Sequence, residues 1–251
     1  MLSAVGFWTP KAGNRVDEWE DSFALDEASG RFAVADGASS SSRAGAWAAE
    51  LTTGFIDDPL TTTTDDELVD WFGRRSERFE AAHPATDRAE MTAENWYAVA
   101  ASEAVGYATF VGVTVLRDAH GALVARVVGV GDSVAFVVRD GAVVHVSPSM
   151  GADGFDSYPD LVPSDGERVG AAAGTAFRSE CPLQTGDEIL VMSDALAEWA
   201  LTRATDEPEL WDVFGEIDSL RFRELVRELR AFDEIVNDDV TLVRCRVEVF
   251  G

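Results

Sequence analysis

The alternation of apolar and polar residues predicts buried strands that lead into acidic residues. In the segment RFAVADG, Phe32 and Val34 share one face between flanking glycines, which is typical of a buried strand ending at Asp36. A second apolar run, EILVMSDAL, predicts a strand ending at Asp194. In the closing segment VTLVRCRVEVF, apolar residues alternate with charged ones from Val243 onwards, which predicts a half-buried strand that belongs to the sheet.

Helical spacing of apolar residues fills much of the remaining chain. After the serine run Ser39 to Ser42, which can supply an N-cap, apolar residues recur every three or four positions from Ala44 to Phe55. This predicts a strand, a sharp Asp-Gly turn and a helix in succession. Further helices are predicted from Asp66 to about Ala81, near Ala93 to Ala104, around Leu210, and from Phe222 to Phe232.

The middle of the chain has a different pattern. Between Thr109 and Val146, short β-rich runs separated by glycine-containing turns predict an antiparallel meander. From Ser147 to Cys181, glycine, proline, serine and acidic residues become frequent and no periodicity persists, so an irregular surface excursion is expected there. The pattern as a whole indicates a protein that mixes helices with mostly antiparallel strands.

Length and composition favour one compact domain covering residues 1–251. The chain has 251 residues and 46% of them are apolar, which is enough to bury a sizeable core. No stretch approaches the roughly 18 consecutive apolar residues of a membrane span. The opening residues lack the pattern of a secretion signal, and Cys181 and Cys245 have no metal-type spacing. A cytoplasmic location is therefore expected.

The charge balance excludes some partners. Asp and Glu number 46 against 20 Lys and Arg, which gives a formal net charge of −26. Nucleic acid and anionic membranes are poor partners for such a surface. Lys11 is the single lysine, and all other basic residues are arginines. A dense carboxylate surface keeps a protein soluble in concentrated salt, so a halophilic source is expected.

Acidic residues at strand ends are the candidate chemical groups. Asp36 and Asp194 end apolar strands, and Asp238 and Asp239 stand at the entrance to the last strand. Carboxylates gathered at a sheet edge suit Mg²⁺ or Mn²⁺, which prefer oxygen ligands. The histidines lie away from these positions and are expected to have ordinary structural roles; they are His83, His120 and His145.

Five short motifs follow one another along nearly the whole chain. They are EDSF at Glu20 to Phe23, VADG at Val34 to Gly37, VGDS at Val130 to Ser133, MSDAL at Met192 to Leu196, and NDDVTLV at Asn237 to Val243. In this order they resemble the type 2C, or PPM-type, metal-dependent serine/threonine protein phosphatases, in a divergent prokaryotic branch. The resemblance implies an α+β fold, a four-layer αββα sandwich with two antiparallel β-sheets flanked by helices.

The resemblance also implies a site for two Mn²⁺ or Mg²⁺ ions. Asp36 would bridge the two ions together with a water. Asp194 and Asp238 would complete the protein ligands of the first ion, and Glu20 and the Gly37 carbonyl would serve the second. Two ions held close together lower the pKa of a bridging water and neutralise phosphoryl charge, so no protein nucleophile is needed.

Three further residues receive roles from the resemblance. Asp21 would lie just behind the metal ligands, Asp132 would help to hold a weaker third ion together with Asp194, and Arg15 would grip the substrate phosphate with its guanidinium fork. Arg15 lies five residues before Glu20, one more than in the usual pattern, so that role requires a bulge or another group.

The chain departs from the family pattern at several positions. Ala195 stands where glycine is usual, Asp239 stands where asparagine is usual, and YATF at Tyr107 to Phe110 replaces a Gly-Thr-Thr motif. Ala38 occupies the place of the general-acid histidine of the animal enzymes, which bacterial relatives also lack. Asp238 fits the metal-ligand position better than Asp239, although both could be a solvated turn.

Metal-dependent hydrolysis of phosphoserine and phosphothreonine in proteins is the function that the resemblance implies. A phosphorylated protein would be the substrate, and a serine/threonine kinase could be the signalling partner. Two alternatives remain: a catalytically weak module that binds or regulates phosphoproteins, which loss of the Arg15 contact would favour, and a phosphatase of small phosphorylated metabolites.

Overall fold

The computed structural model describes residues 1–38, 41, 43–60, 64–84, 105–155 and 159–248. The strands are β1 (Leu2–Thr9), β2 (Ser22–Asp26), β3 (Arg31–Ala35), β4 (Tyr107–Ala108), β5 (Phe110–Arg117), β6 (Leu123–Val130), β7 (Val134–Arg139), β8 (Ala142–Ser147), β9 (Val162–Pro163), β10 (Phe177–Pro182), β11 (Glu188–Met192) and β12 (Val240–Val247). The helices are α1 (Ala44–Asp57), α2 (Asp65–Ala82), α3 (Val169–Thr175), α4 (Asp194–Arg203), α5 (Leu210–Glu216) and α6 (Ser219–Ala231).

Ten of the strands form two antiparallel five-stranded sheets. One sheet has the order β1-β12-β11-β7-β8 and the other has the order β10-β6-β5-β3-β2, while β4 and β9 form a separate short pair. The first and last long strands of the chain are paired in the first sheet, with Leu2 opposite Val247 and Thr9 opposite Val240. This pairing brings the segment after β1 next to the segment before β12.

Strand periodicity explains why the sheets can be covered on both faces. In β3, Phe32 and Val34 point into the apolar layer between the sheets, whereas Ala33 and Ala35 pack against the side that carries α1 and α2. In β12, Val243 points between the sheets and Leu242 packs against the side that carries α4, α5 and α6. Successive side chains of a strand point to opposite faces, so both faces can be apolar. The result is the predicted four-layer αββα sandwich.

The helices carry large aromatic side chains into the two outer apolar layers. Trp47 of α1 and Trp71 of α2 are fully buried on one side, and Trp211 and Phe214 of α5 are buried on the other. The Trp47 indole also donates a hydrogen bond to the Val162 carbonyl at 2.8 Å, which ties α1 to β9. These rings stabilise the two outer apolar layers.

The predicted meander between Thr109 and Val146 is correct in its strands and wrong in its pairing. β5 pairs with β6 and β7 pairs with β8, but the chain passes from one sheet to the other between β6 and β7. Gly131 makes that passage possible because its φ is +95° and a Cβ there would lie 2.7 Å from the Asp160 carbonyl oxygen. The hydrophobic pattern of each strand is the same in either arrangement.

Other boundaries also differ from the predictions. The stretch from Ser147 to Cys181 contains α3 and most of β10, and β1 and β2 carried no strong strand signal. The strand before Asp194 ends at Met192, and Asp194 is the first residue of α4. At α1 the N-cap is Arg43, with no side-chain cap. The helix predicted near Ala93 to Ala104 lies outside the described residues.

The sequence predicted no membrane-spanning segment and no histidine at the acidic strand ends. Among the described residues, no helix is both long enough and apolar enough to cross a membrane. The histidines lie away from the acidic strand ends: His83 stacks on Phe79 at the end of α2, His120 is in an exposed turn, and His145 is in β8.

Candidate active site

Acidic residues from both sheets meet at one end of the sandwich, and strand register explains why. In one sheet Ser22 pairs with Ala35, so Asp21 before β2 lies beside Asp36 after β3. In the other sheet Met192 pairs with Leu242, which brings the start of α4 to the entrance of β12. The sheets face each other, so the two acidic pairs converge.

A hydrogen bond between the sheets positions Asp21. The Thr241 hydroxyl in β12 donates to Asp21 Oδ2 at 2.7 Å, and Thr241 is held by Ser193, whose Oγ accepts from the Thr241 backbone N–H at 3.0 Å. Asp21 is only 3% exposed. Its other oxygen, Oδ1, is buried and has no hydrogen-bond partner among the described residues. Such an acceptor is costly unless a proton or a cation reaches it.

Burial raises the pKa of Asp21 to about 7, and the charges of Asp239 and Asp194 act in the same direction against the bond from Thr241. The pKa of Asp36 is raised well above its ordinary value, first by burial of the carboxyl and then by the charges of Asp21 and Asp194. Part of Asp36 touches solvent, but its carboxyl faces the cluster within hydrogen-bonding reach of Asp21. Ionising all of these groups together is therefore unfavourable unless a cation is present.

Asp194 belongs to the same electrostatic group. Burial raises its pKa to about 6; the Ala195 backbone N–H, donating at 2.6 Å, opposes this, and the charge of Asp238 adds to it. The N-terminus of α4, where Asp194 is the first residue, also favours a negative charge. We call Asp21, Asp36, Asp194 and Asp238 the carboxylate cluster.

The two adjacent aspartates before β12 have different surroundings. Asp239 is 3% exposed and accepts the backbone N–H groups of Lys11 at 2.8 Å and Glu20 at 2.6 Å, so it holds two chain segments together. The Asp238 side chain is 37% exposed and its Oδ1 lies 2.9 Å from Lys11 Nζ. The same Oδ1 accepts the Asp239 backbone N–H at 2.7 Å, whereas both oxygens of Asp239 accept backbone amides. Asp238 therefore presents the more accessible carboxylate.

Gly37 lets the Glu20 backbone lie directly against the turn after Asp36. A Cβ on Gly37 would stand 2.6 Å from the Glu20 carbonyl oxygen and 2.8 Å from the Ala44 carbonyl carbon, at the start of α1. Both neighbours are backbone atoms, so neither can move aside as a side chain could. The tight approach keeps Glu20 and the Gly37 peptide at the same corner as Asp36.

Asp132 lies at the crossing between the sheets, beside this corner. It is 6% exposed, and the next residue, Ser133, shares a 2.7 Å hydrogen bond with the Thr109 hydroxyl. Thr109 Oγ1 also accepts from the Asp36 backbone N–H at 3.2 Å. The Asp132 loop is thus linked to Asp36 through Thr109, although the charges that most raise the pKa of Asp36 come from Asp21 and Asp194.

The structure does not bring the Arg15 side chain to the cluster. The Arg15 side chain is 78% exposed, and its Nη2 pairs with Asp17 Oδ2 at 2.8 Å. A different arginine, Arg230 of α6, reaches the loop before β12: its Nη2 donates to the Asp238 carbonyl oxygen at 2.6 Å and its Nη1 to the Pro10 carbonyl oxygen at 2.9 Å. Arg230 thereby links the segment just before Lys11 to the loop that carries Asp238, the ion-pair partner of Lys11.

Several groups that organise the site were not singled out from the sequence. Lys11, Thr241 and Arg230 contact the cluster or its loops, and Thr109 supports Asp36. Lys11 had one available signal, because it is the only lysine of the chain. Thr241 lies in the NDDVTLV segment, in which only the acidic residues were candidate ligands. Thr109 lies in the YATF segment, which was noted only because it departs from a family motif.

The carboxylate oxygens are the type of ligand that a hard divalent cation prefers. The described side chains do not, however, form a complete metal site. The orphaned Asp21 Oδ1 and the raised pKa values of Asp21 and Asp36 are what a cation would relieve. Within the described ranges, no group of three or more Asp, Glu, His or Cys side chains is placed so that it could hold a metal ion as it stands.

Solved phosphatase structures match the chain along almost its full length. The photosystem II phosphatase PBCP superposes with a TM-score of 0.65 at 18% identity, covering 100% of both chains. The catalytic domain of the serine/threonine protein phosphatase PstP, in complex with two manganese ions, gives a TM-score of 0.62 at 15% identity and 99% coverage of both. The chain has the fold of the type 2C phosphatases.

A further structural match is PppA, described as a key regulatory component of T6SS in Pseudomonas aeruginosa, with a TM-score of 0.60 at 17% identity, covering 98% of this chain and 97% of its own. No protein-family model and no curated protein sequence matches the chain. The structural likeness establishes the type 2C fold that the five motifs led us to expect.

Proposed function

We propose that the chain is a metal-dependent phosphatase that hydrolyses phosphoserine and phosphothreonine in proteins. The observation that carries this proposal is the convergence of Asp21, Asp36, Asp194 and Asp238 from both sheets, with burial and mutual repulsion raising the pKa of three of them. Carboxylates arranged against their own repulsion serve chemistry more often than stability. The type 2C fold agrees with this interpretation.

The proposed ligands are those of the sequence analysis. Asp36, Asp194 and Asp238 would hold one Mn²⁺ or Mg²⁺ ion, Glu20 and the Gly37 carbonyl would hold a second with Asp36, and Asp132 is the candidate for a third. Bound metal of this kind supplies a water of lowered pKa and offsets the charge of a phosphoryl group. Asp21, fixed by Thr241, would keep the ligands in place from behind.

A substrate has room to approach beside the cluster. A cleft of about 780 Å³ is lined by the immediate chain neighbours of three site residues, namely Ala12, Ala195 and Asn237. Arg203 and Arg230 also line it, and they could attract an anionic group. We keep Arg15 as a proposed phosphate ligand, a role that requires its pair with Asp17 to open.

The test is phosphatase activity in concentrated salt with added Mn²⁺, using an aryl phosphate and a phosphothreonine peptide. Asp36→Asn should lower kcat/KM about 100-fold or more, because the charge that would be shared between the ions is lost. The matched control is Asp206→Asn, which makes the same change on an exposed turn after α4 and should leave the rate unchanged. Equal rates for Asp36→Asn and the parent protein would refute the proposal.

A second candidate function is a catalytically weak, phosphatase-like module that binds a phosphoprotein or regulates a kinase. The observation favouring it is that Arg15 is paired with Asp17 at the surface, away from the cluster. Such a module would bind a phosphothreonine peptide in the presence of Mn²⁺. It would release no phosphate, even in incubations much longer than the time that binding takes. Turnover of the peptide would exclude it, and activity confined to small phosphorylated metabolites would indicate the third alternative.

A further inference from the structure

The only lysine of the chain reaches the carboxylate cluster. Lys11 Nζ lies 2.9 Å from Asp238 Oδ1, and the Lys11 side chain is 21% exposed. All nineteen other basic residues are arginines, several of which pair with carboxylates elsewhere in the structure. A lysine differs from them in carrying a compact ammonium charge on a flexible stem. This small cation stands beside the most accessible carboxylate of the cluster.

Backbone hydrogen bonds fix the Lys11 segment against the loop that carries Asp238. The Lys11 N–H donates to Asp239 Oδ1 at 2.8 Å, and the Ala12 N–H donates to Asn237 Oδ1 at 2.8 Å. Arg230 joins the same two segments through the carbonyl oxygens of Pro10 and Asp238. The three contacts made by Pro10, Lys11 and Ala12 each span more than 200 positions of the chain, so the proximity of the ammonium to Asp238 is built into the fold.

The ammonium is held in its charged form. Burial favours the neutral amine, but the hydrogen bond that Lys11 donates to Asp238 and the charges of Asp238, Asp239 and Glu20 outweigh burial and raise the pKa of Lys11. In return, Lys11 is one of the groups that lower the pKa of Asp194. Its positive charge therefore acts on several carboxylates at once, as a bound cation would.

We propose that the Lys11 ammonium is a built-in counter-ion that a divalent metal must displace from Asp238 before the metal centre can form. This inference rests on the proposed function, because it concerns the same ligands. It accounts for the finding that, in the described part of the chain, no three candidate ligands stand ready for a metal ion. Asp238 is engaged by Lys11 and the oxygens of Asp239 are engaged by backbone amides.

Two consequences follow from a displaceable ammonium. Without metal, Lys11 offsets part of the repulsion in the cluster and stabilises the fold. With metal, two cations compete for the Asp238 carboxylate, and the ammonium must move away on its flexible stem at a cost to metal affinity. Lys11 thus makes the cluster selective for conditions in which free divalent metal is abundant.

The experiment compares Lys11→Met with the parent protein by calorimetric titration of Mn²⁺ and by thermal unfolding in EDTA, both in concentrated NaCl. Methionine is unbranched and only one atom shorter than lysine, and it removes the charge. We expect Mn²⁺ to bind about tenfold tighter or more, and the EDTA-treated variant to melt at a lower temperature. Arg227→Met is the control, since it removes one positive charge from the exposed face of α6.

The outcomes separate this inference from the proposed function. Tighter binding in Lys11→Met supports the inference, and binding that appears only in this variant supports it while refuting metal-dependent hydrolysis by the natural chain. Equal or weaker Mn²⁺ binding in Lys11→Met overturns the inference and leaves the proposed function standing. No binding in either protein overturns both. A gain that Arg227→Met reproduces also overturns it, since net charge alone would then be the cause.

Discussion

Replacing Asp21 by asparagine should stabilise the metal-free protein at alkaline pH. Asp21 is 3% exposed, and burial raises its pKa to about 7. Asparagine has nearly the same shape, and its side-chain oxygen can accept the Thr241 hydroxyl bond that Asp21 Oδ2 accepts at 2.7 Å. The substitution therefore removes mainly the ability to ionise, in the most deeply buried member of the cluster.

The sign and size follow from proton linkage. The pKa of Asp21 is higher in the folded protein than its ordinary 3.8, so the folded state binds the proton more tightly than the unfolded chain does. The stability linked to this proton is complete below pH 3.8 and is lost as the pH rises through about 7. Between pH 5 and pH 8 this loss amounts to about 2 to 3 kcal/mol. The asparagine side chain cannot ionise, so the Asp21→Asn variant escapes this loss.

The assay is chemical unfolding followed by circular dichroism at pH 5 and pH 8, in EDTA and concentrated salt. The free energy of unfolding of Asp21→Asn, minus that of the parent, should increase by about 2 to 3 kcal/mol between the two pH values. Comparison between pH values cancels any constant difference between asparagine and a protonated aspartate. Asp206→Asn, on an exposed turn, controls for the many surface carboxylates.

A difference between variant and parent that stays constant from pH 5 to pH 8 would refute the reasoning, because Asp21 would then ionise as easily in the folded protein as in the unfolded chain. Added Mn²⁺ provides a second check. A bound cation removes the cost of ionising the cluster, so Mn²⁺ should raise the stability of the parent at pH 8 more than that of Asp21→Asn.

Two further predictions concern packing and charge near the sheets. Gly37→Ala should lower the free energy of unfolding by about 1 to 3 kcal/mol and abolish Mn²⁺ binding, because its Cβ would meet backbone atoms at 2.6 and 2.8 Å. The control is Gly170→Ala, in a helix where a Cβ would meet nothing within 4 Å, and it should be neutral or slightly stabilising by thermal unfolding. Asp187→Asn should cost about 1.5 to 3 kcal/mol, because it weakens the bidentate pair at 2.7 and 2.8 Å between the buried Asp187 carboxylate and the partly exposed Arg139. Glu180→Gln, in the more exposed pair with Arg126, should cost under about 1 kcal/mol in the same unfolding assay. A destabilisation by Gly170→Ala as large as that by Gly37→Ala, or equal costs for the two acidic variants, would contradict these interpretations.

The parts of the fold that could be predicted are those whose pattern depends on burial alone. β3, β11 and β12 are bounded apolar runs, and α1 and α2 have helical periodicity, so each was identified within a few residues. Pairing between strands depends on contacts that no local pattern records. The crossing between β6 and β7 at Gly131 sends two similar hairpins into different sheets, which explains why the predicted meander was wrong.

The candidate site, like the fold, could be predicted only in part from the sequence. Placement of Asp36, Asp194 and Asp238 at strand ends followed from the sequence, because the strands leading to them are apolar and the residues are charged. The direction of each side chain did not follow. Arg15 lies only a few residues from Glu20 in the sequence, yet it points to solvent, whereas Lys11 reaches Asp238 because β1 and β12 are paired. Long-range strand pairing brought together groups that spacing along the chain could not connect.

The two proposed functions differ chiefly in how readily Asp238 exchanges one cation for another. If Lys11 leaves Asp238 when metal arrives, the cluster gains its full set of oxygen ligands, and the Lys11 ammonium becomes available to an anionic substrate. If Lys11 stays, Asp238 is neutralised without a metal and the same fold can only bind. A high net negative charge attracts divalent cations to the surface and favours displacement of Lys11 by metal, whereas concentrated salt screens that attraction. The activity of the chain should therefore depend on the ratio of divalent to monovalent cations more steeply than surface binding alone would require.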